Sequence, residues 1–151
     1  LAESVKMREF YRDRHQMGDF IIVDNGEVEF VYSHETSERM GWKDIVAVAD
    51  LVGADEICLP DIFRDCEATI RAVEAVWETV PPRRCMVIPQ GESVGEWMHC
   101  CSTLLGRFGG IRSVGIPKHM ERFGRVEVLD EVVKVGWHRE HDFHLLGVWD
   151  D

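Results

Sequence analysis

Glu56-Ile57-Cys58-Leu59-Pro60-Asp61 is the stretch on which the fold turns. Its apolar run is short enough for a buried strand. Proline then ends ladder pairing and holds Leu59 in extended backbone, and a carboxylate follows at the strand exit. The same order of residue types recurs along the chain. Phe20-Ile21-Ile22-Val23 leads into Asp24-Asn25-Gly26, and Cys85-Met86-Val87-Ile88 into Gln90-Gly91. Ile111-Arg112-Ser113-Val114-Gly115 leads into Pro117-Lys118, and Phe143-His144-Leu145-Leu146 into Gly147. The runs return about every 25 to 35 residues, the length of a strand, a helix and two loops that a parallel crossover requires.

Helical spacing fills the intervals. Ala2 to His15 reads as a helix ahead of the first strand. Glu38 to Leu51 carries Met40, Ile45, Val48, Ala49 and Leu51, with Gly53 as a stop. Asp65 is placed to cap a helix through Ile70, Val73, Val76 and Trp77, which Pro81-Pro82 ends. Glu92 to Phe108 is a further helix, closed by Gly109-Gly110, and the last lies within Val126 to Val135, ended by Gly136. Trp42, Trp77, Trp97 and Trp137 fall on or beside these helices and read as packing.

An α/β chain of about five parallel strands fits either a flavodoxin-like open sheet or part of a (β/α)8 TIM barrel. An open sheet concentrates its site at one switch point, whereas here every strand exit carries polar side chains or glycine, as a barrel mouth does. The expectation is a single domain, residues 1–151, forming a partial barrel. A whole barrel takes about 200 to 250 residues and eight strands, so about three strands are absent.

With 151 residues and 45% hydrophobic content, the chain can bury one sizeable core. No apolar run reaches the roughly 18 residues that span a membrane, and Leu1 to Gln16 mixes charges where a signal peptide is apolar. A soluble, cytoplasmic protein without a membrane partner is expected. The chain opens on Leu1, which leaves its natural start open. Cys58, Cys66, Cys85, Cys100 and Cys101 are odd in number and form no C-x-x-C pair, which argues against a disulfide framework and a structural zinc site. Cys58 and Cys85 sit in apolar runs and read as small buried hydrophobes.

The formal charge of −11, from 28 acidic and 17 basic residues, repels a nucleic acid on average. Arg8, Arg12 and Arg14 form one local basic cluster and Pro81-Pro82-Arg83-Arg84 another. A solvated surface explains either equally well. There is no H-E-x-x-H, no phosphate-binding glycine loop and no G-x-S-x-G, and neither metal nor cofactor is expected.

Asp24 should project from the mouth, where Asn25-Gly26 permits a tight turn or close ligand approach. The same tripeptide also makes an ordinary turn. Asp61 leaves the second strand at the same end, and paired carboxylates there suit a guanine-like base, whose N1–H and 2-amino group one carboxylate accepts together. A helix N-cap is the alternative for Asp61. Gln90 offers an amide to a carbonyl, and Gly91 leaves space for a planar base; either also shapes a loop. Trp149 follows the last strand and could line a base pocket.

Four segments in this order and spacing carry a resemblance: Ile21-Ile22-Val23-Asp24-Asn25-Gly26, Ala54-Asp55-Glu56-Ile57-Cys58-Leu59-Pro60-Asp61, Val87-Ile88-Pro89-Gln90-Gly91 and His144-Leu145-Leu146-Gly147-Val148. From about Glu9 onward the chain resembles the tRNA-guanine (queuine) transglycosylase superfamily, closest to its phage-encoded, 7-deazaguanine-handling branch. The resemblance implies exchange of guanine in tRNA or DNA for a 7-deazaguanine through an aspartyl glycosyl-enzyme intermediate. It makes Asp24 the proton-handling aspartate and Asp61 the reader of the guanine edge. Gln90 and Gly91 would face the base's O6 side, and Gly115, Leu146 and Gly147 would flank the base, with Asn25 and Gly26 beside Asp24. The family's nucleophile and zinc-binding cysteines follow the His-Leu-Leu-Gly segment and have no counterpart here; Asp150 and Asp151 lie too close to the fifth strand to match. The alternative is an inactive base-binding or protein-interaction module on an unfinished barrel, covered by a second copy or a completing chain. An unrelated (β/α)8 hydrolase is the third reading, and it requires Asp24 and Asp61 to be far apart.

Overall fold

The apolar runs pair side by side. The computed structural model describes residues 2–27, 41–80 and 84–147, and its strands are β1 (Ile22–Val23), β2 (Glu56–Cys58), β3 (Cys85–Val87), β4 (Ser113–Ile116) and β5 (Asp142–Leu145). All neighbours are parallel, in the order β1-β2-β3-β4-β5. A doubly wound sheet reverses its strand order once, at the switch point. No reversal occurs here, and the sheet curls into a half-barrel.

Among the described residues five α-helices accompany the strands: α1 (Ala2–Gln16), α2 (Trp42–Val52), α3 (Cys66–Val76), α4 (Val94–Arg107) and α5 (Arg125–Val135). Each of the last four turns one apolar stripe to the sheet: Ile45, Ala49 and Val52; Ile70 and Val73; Trp97, Cys100, Cys101 and Leu104; Val128 and Val132. They meet Ile57, Cys85, Val87, Val114 and Ile116, the strand residues whose parity points to the helices. The opposite parity faces the inside of the half-barrel, where Cys58, Met86 and Ile88 pack with Leu146. Cys58 and Cys85 are both buried, on opposite faces. Among the described residues no helix is long and apolar enough to cross a membrane.

The element boundaries depart from the sequence expectation where side chains compete for backbone partners. Phe20 and Ile21 fall outside β1: the Ile21 amide donates to Asp55 Oδ2 (2.8 Å), and its carbonyl accepts from the amides of Asp55 and Glu56. Helix α4 begins at Val94 instead of Glu92, because the Ser93 side chain accepts from the Glu96 amide (3.1 Å) while Glu96 Oε2 accepts from the Glu92 amide (2.8 Å). This is close to a capping box, legible as Ser93-Val94-Gly95-Glu96. Strands β4 and β5 both shift, β4 towards its C-terminus and β5 to start at Asp142, whose amide donates to Arg112 O. Helix α5 begins at Arg125, one residue earlier than expected, and α2 begins at Trp42; residues 38–40 lie outside the described residues. Gly53, at φ +70, closes α2 in the left-handed conformation that its backbone hydrogen bonds to Ala49 and Asp50 require.

Candidate functional site

Asp24, Asn25, Asp61 and Gln90 meet at the C-terminal ends of β1, β2 and β3. Asn25 is the hub. Its Nδ2 donates to Leu59 O (2.7 Å) and to Asp61 Oδ1 (2.7 Å), and its Oδ1 accepts from the Glu27 amide (3.0 Å). Its own backbone amide donates to Asp24 Oδ1 (2.7 Å), so the two aspartates are joined through one residue. Gln90 Nε2 donates to Asp61 Oδ2, while Gln90 Oε1 accepts from the Arg64 amide (3.0 Å). Both oxygens of Asp61 therefore hold amide donors.

Burial separates the two acids. Asp24 is exposed, whereas Asp61 is only 7% exposed. Its removal from water pushes the Asp61 carboxyl up to about 7; the negative Glu27 and Asp24 add to this, and the Asn25 and Gln90 hydrogen bonds oppose it. One carboxyl that is half protonated near neutral pH beside one open to solvent can give and take protons at a bound base. Asp61 does not cap a helix. That role belongs to Asp65, whose side chain accepts from the Ala68 amide (2.9 Å).

No family model, curated protein or solved structure matches the chain. The remaining expected site residues are placed by packing. Gly26 turns the chain after Asn25 at φ +76. At Gly91 a Cβ would lie 2.8 Å from both Glu96 Cβ and Trp97 N, so its missing side chain lets α4 close on the strand exit. At Gly115 a Cβ would meet Leu146 Cδ1 at 2.8 Å and Ile88 Cγ1 at 3.1 Å, so Gly115 lets these two side chains close into an apolar inner floor. Gly147 packs beside Lys118. Val148, Trp149, Asp150, Asp151, Arg83 and Pro81-Pro82 lie outside the described residues. Of the basic clusters, Arg14 pairs with Asp19, and Arg84 with Asp50 (2.9 Å) and Ala54 O (3.0 Å).

Several contributors escaped the sequence reading. Glu27, 8% exposed, accepts from the Phe63 amide through Oε1 (3.3 Å). Arg64 adopts φ +61, a strained conformation for a residue with a side chain, and its amide thereby reaches Gln90. Its guanidinium lies 4.8 Å over the Phe63 ring and 3.3 Å from Glu92. His119 Nε2 lies 3.1 Å from Gly91 O, and burial lowers its pKa. Arg125, 8% exposed, donates through Nη2 to Ile116 O (2.7 Å) and Leu146 O (2.6 Å), tying the exits of β4 and β5 together. None of these stands in a motif, and only the fold reveals them.

The other end of the inner face carries a second buried acid. Glu56 is 1% exposed beside Ser113, with Arg112 Nε 3.9 Å from its Oε1. Burial raises its pKa, and Ser113, His144 and Arg112 pull it back. Its place at the strand N-termini marks it as part of the scaffold, away from the mouth.

Two cavities lie at this end of the sheet. A small one of about 80 Å3 opens on Asn25, Glu27, Trp42, Pro60 and Asp61. A larger one of about 600 Å3 lies outside the cluster, between the N-terminal turns of α3 and α4, and is bounded by Phe63 and Arg64.

Proposed function

We propose that the chain is the base-recognising part of a transglycosylase-like (β/α)8 barrel that exchanges guanine in tRNA or DNA for a 7-deazaguanine. The observation that carries the proposal is the unlike pair of aspartates, Asp24 exposed and Asp61 buried, joined through Asn25 at one mouth. A buried carboxylate with both oxygens already oriented by Asn25 and Gln90 has its remaining lone pairs fixed in direction. In that role Asp61 accepts from N1–H and the 2-amino group of the base. Asp24, open to solvent, relays a proton from water to the leaving base as the bond to the sugar C1′ breaks. The apolar floor of Ile88 and Leu146 at Gly115 lies against the base plane. No residue of this chain matches the family's C1′ nucleophile, so the role proposed for the chain is recognition and proton handling, with the covalent step on an aspartate outside it.

Calorimetric titration of guanine and of preQ0 into wild type and Asp61→Asn tests the reading. Expected is a loss of about tenfold or more in the variant, about 1.4 kcal/mol. Because Asp61 must be ionised to accept both donors, wild-type affinity should rise as pH rises through about 7. A folded wild type that binds neither base would overturn the proposal.

One observation favours a second reading, a binding module completed by another chain or a second copy. Among the described residues, strands β1 and β5 each have a single neighbour in the sheet, and Phe20 (47%) and Leu145 (46%) stand exposed beside those edges. Self-association in sedimentation without base binding would carry it.

A further inference from the structure

The outer rim between α3 and α4 brings together three side chains that no motif of the sequence connects. Cys66 and Glu67 open α3, and His99 lies in α4. Their ligand atoms, a thiol sulfur, a carboxylate oxygen and an imidazole nitrogen, all lie within 4.8 Å of one another and line the 600 Å3 cavity. We propose that Cys66, Glu67 and His99 form a binding site for a borderline-soft divalent cation, zinc before others. The proposal is independent of the base-binding reading.

The chemistry of the donor set selects the ion. Magnesium and calcium take oxygen ligands, whereas a mixed sulfur, nitrogen and oxygen set suits zinc and its neighbours. Tetrahedral zinc, with bonds of about 2.0 to 2.3 Å, places its ligand atoms roughly 3.5 Å apart. Closure from the observed spacing asks for about 1 Å of movement. Glu67 and His99 are exposed, while half-buried Cys66 is the more enclosed of the three. As the sulfur–metal bond forms, the thiol proton leaves to solvent. Three protein ligands leave a fourth position for water.

The surroundings favour a cation. Besides Glu67, the cavity is lined by Asp65, Glu92 and Glu96, against one guanidinium, that of Arg64. Arg64 is held at the cavity wall by Phe63 and Glu92, whose carboxylate lies 3.3 Å away. The negative lining attracts a divalent cation and repels an anionic ligand.

Cobalt titration of the full chain, kept reduced with a phosphine, tests the site directly. Expected are saturation near one equivalent, a thiolate-to-cobalt charge-transfer band, and displacement of that band by zinc but not by magnesium. Cys66→Ser should abolish the band. Both Cys66→Ser and His99→Ala should weaken zinc binding in calorimetry by about tenfold or more, with the far-ultraviolet circular dichroism unchanged. A folded wild type without the band, a band that survives Cys66→Ser, or zinc affinity unchanged in His99→Ala would each overturn the proposal.

Discussion

Replacing Asp61 by Asn should invert the order of stability of wild type and variant as pH rises. In the folded chain burial holds the Asp61 carboxyl at about 7 against an ordinary 3.8. Below about pH 4 the group is protonated in both the folded and the unfolded states and contributes nothing to the difference. Between about pH 4 and 7 the folded state keeps a proton that the unfolded state has lost. Stability therefore falls with rising pH, and the full cost is reached above about 7. At about 1.4 kcal/mol per pH unit this amounts to a loss on the order of 4 kcal/mol across the window. The carboxamide of the variant cannot titrate and lacks the slope. It carries its own penalty, because its nitrogen must face either Asn25 Nδ2 or Gln90 Nε2, both donors to Asp61. Turning Gln90 over would cost its bond from the Arg64 amide. One buried donor left unpaired costs about 1 to 3 kcal/mol at any pH. Urea unfolding of both proteins at about pH 4 and about pH 8 separates the terms, since every other titrating group is common to the two chains. The variant should be the less stable at the lower pH and the more stable at the higher. A wild-type-minus-variant difference that is equal at both pH values would refute the reasoning.

Two further predictions test the walls of the site. Gly91→Ala should cost about 1 to 3 kcal/mol in urea unfolding, because the new methyl meets the Trp97 backbone, while Gly115→Ala should cost less, since the contacted ends of Leu146 and Ile88 can rotate. Equal costs would mean that α4 yields at Gly91. Arg125→Met should cost about 3 kcal/mol by leaving the Ile116 and Leu146 carbonyls and Glu121 without their guanidinium, with Arg125→Lys between it and wild type. A Met variant within about 0.5 kcal/mol of wild type would show that the exits of β4 and β5 hold without it.

Much of the fold could be read from the order of residues, for local reasons. A strand buried on both faces is a short apolar run, a helix packed on one side repeats its apolar residues every third or fourth position, and glycine and proline mark the ends. These rules act over a few residues, so they located all five strands and the cap at Asp65. They also placed Asp24, Asn25, Asp61 and Gln90 at one end of the sheet, because every parallel strand exits on the same side. What they could not supply is the choice among partners. Asp61 had two local fates, helix cap or site carboxylate; the cap went to Asp65, and Asn25 and Gln90 approach Asp61 from two other strand exits. Gly91 carries no sign of what fills the space it leaves, and α4 fills it. Cys66 and His99 are silent in sequence, since metal-binding patterns are recognised at close spacing and these two residues meet only because α3 and α4 pack side by side. The order of strands is likewise a long-range property. The strand exits favoured a barrel over an open sheet, and only pairing in unbroken succession, with the exits of β4 and β5 held by Arg125, shows the half-barrel.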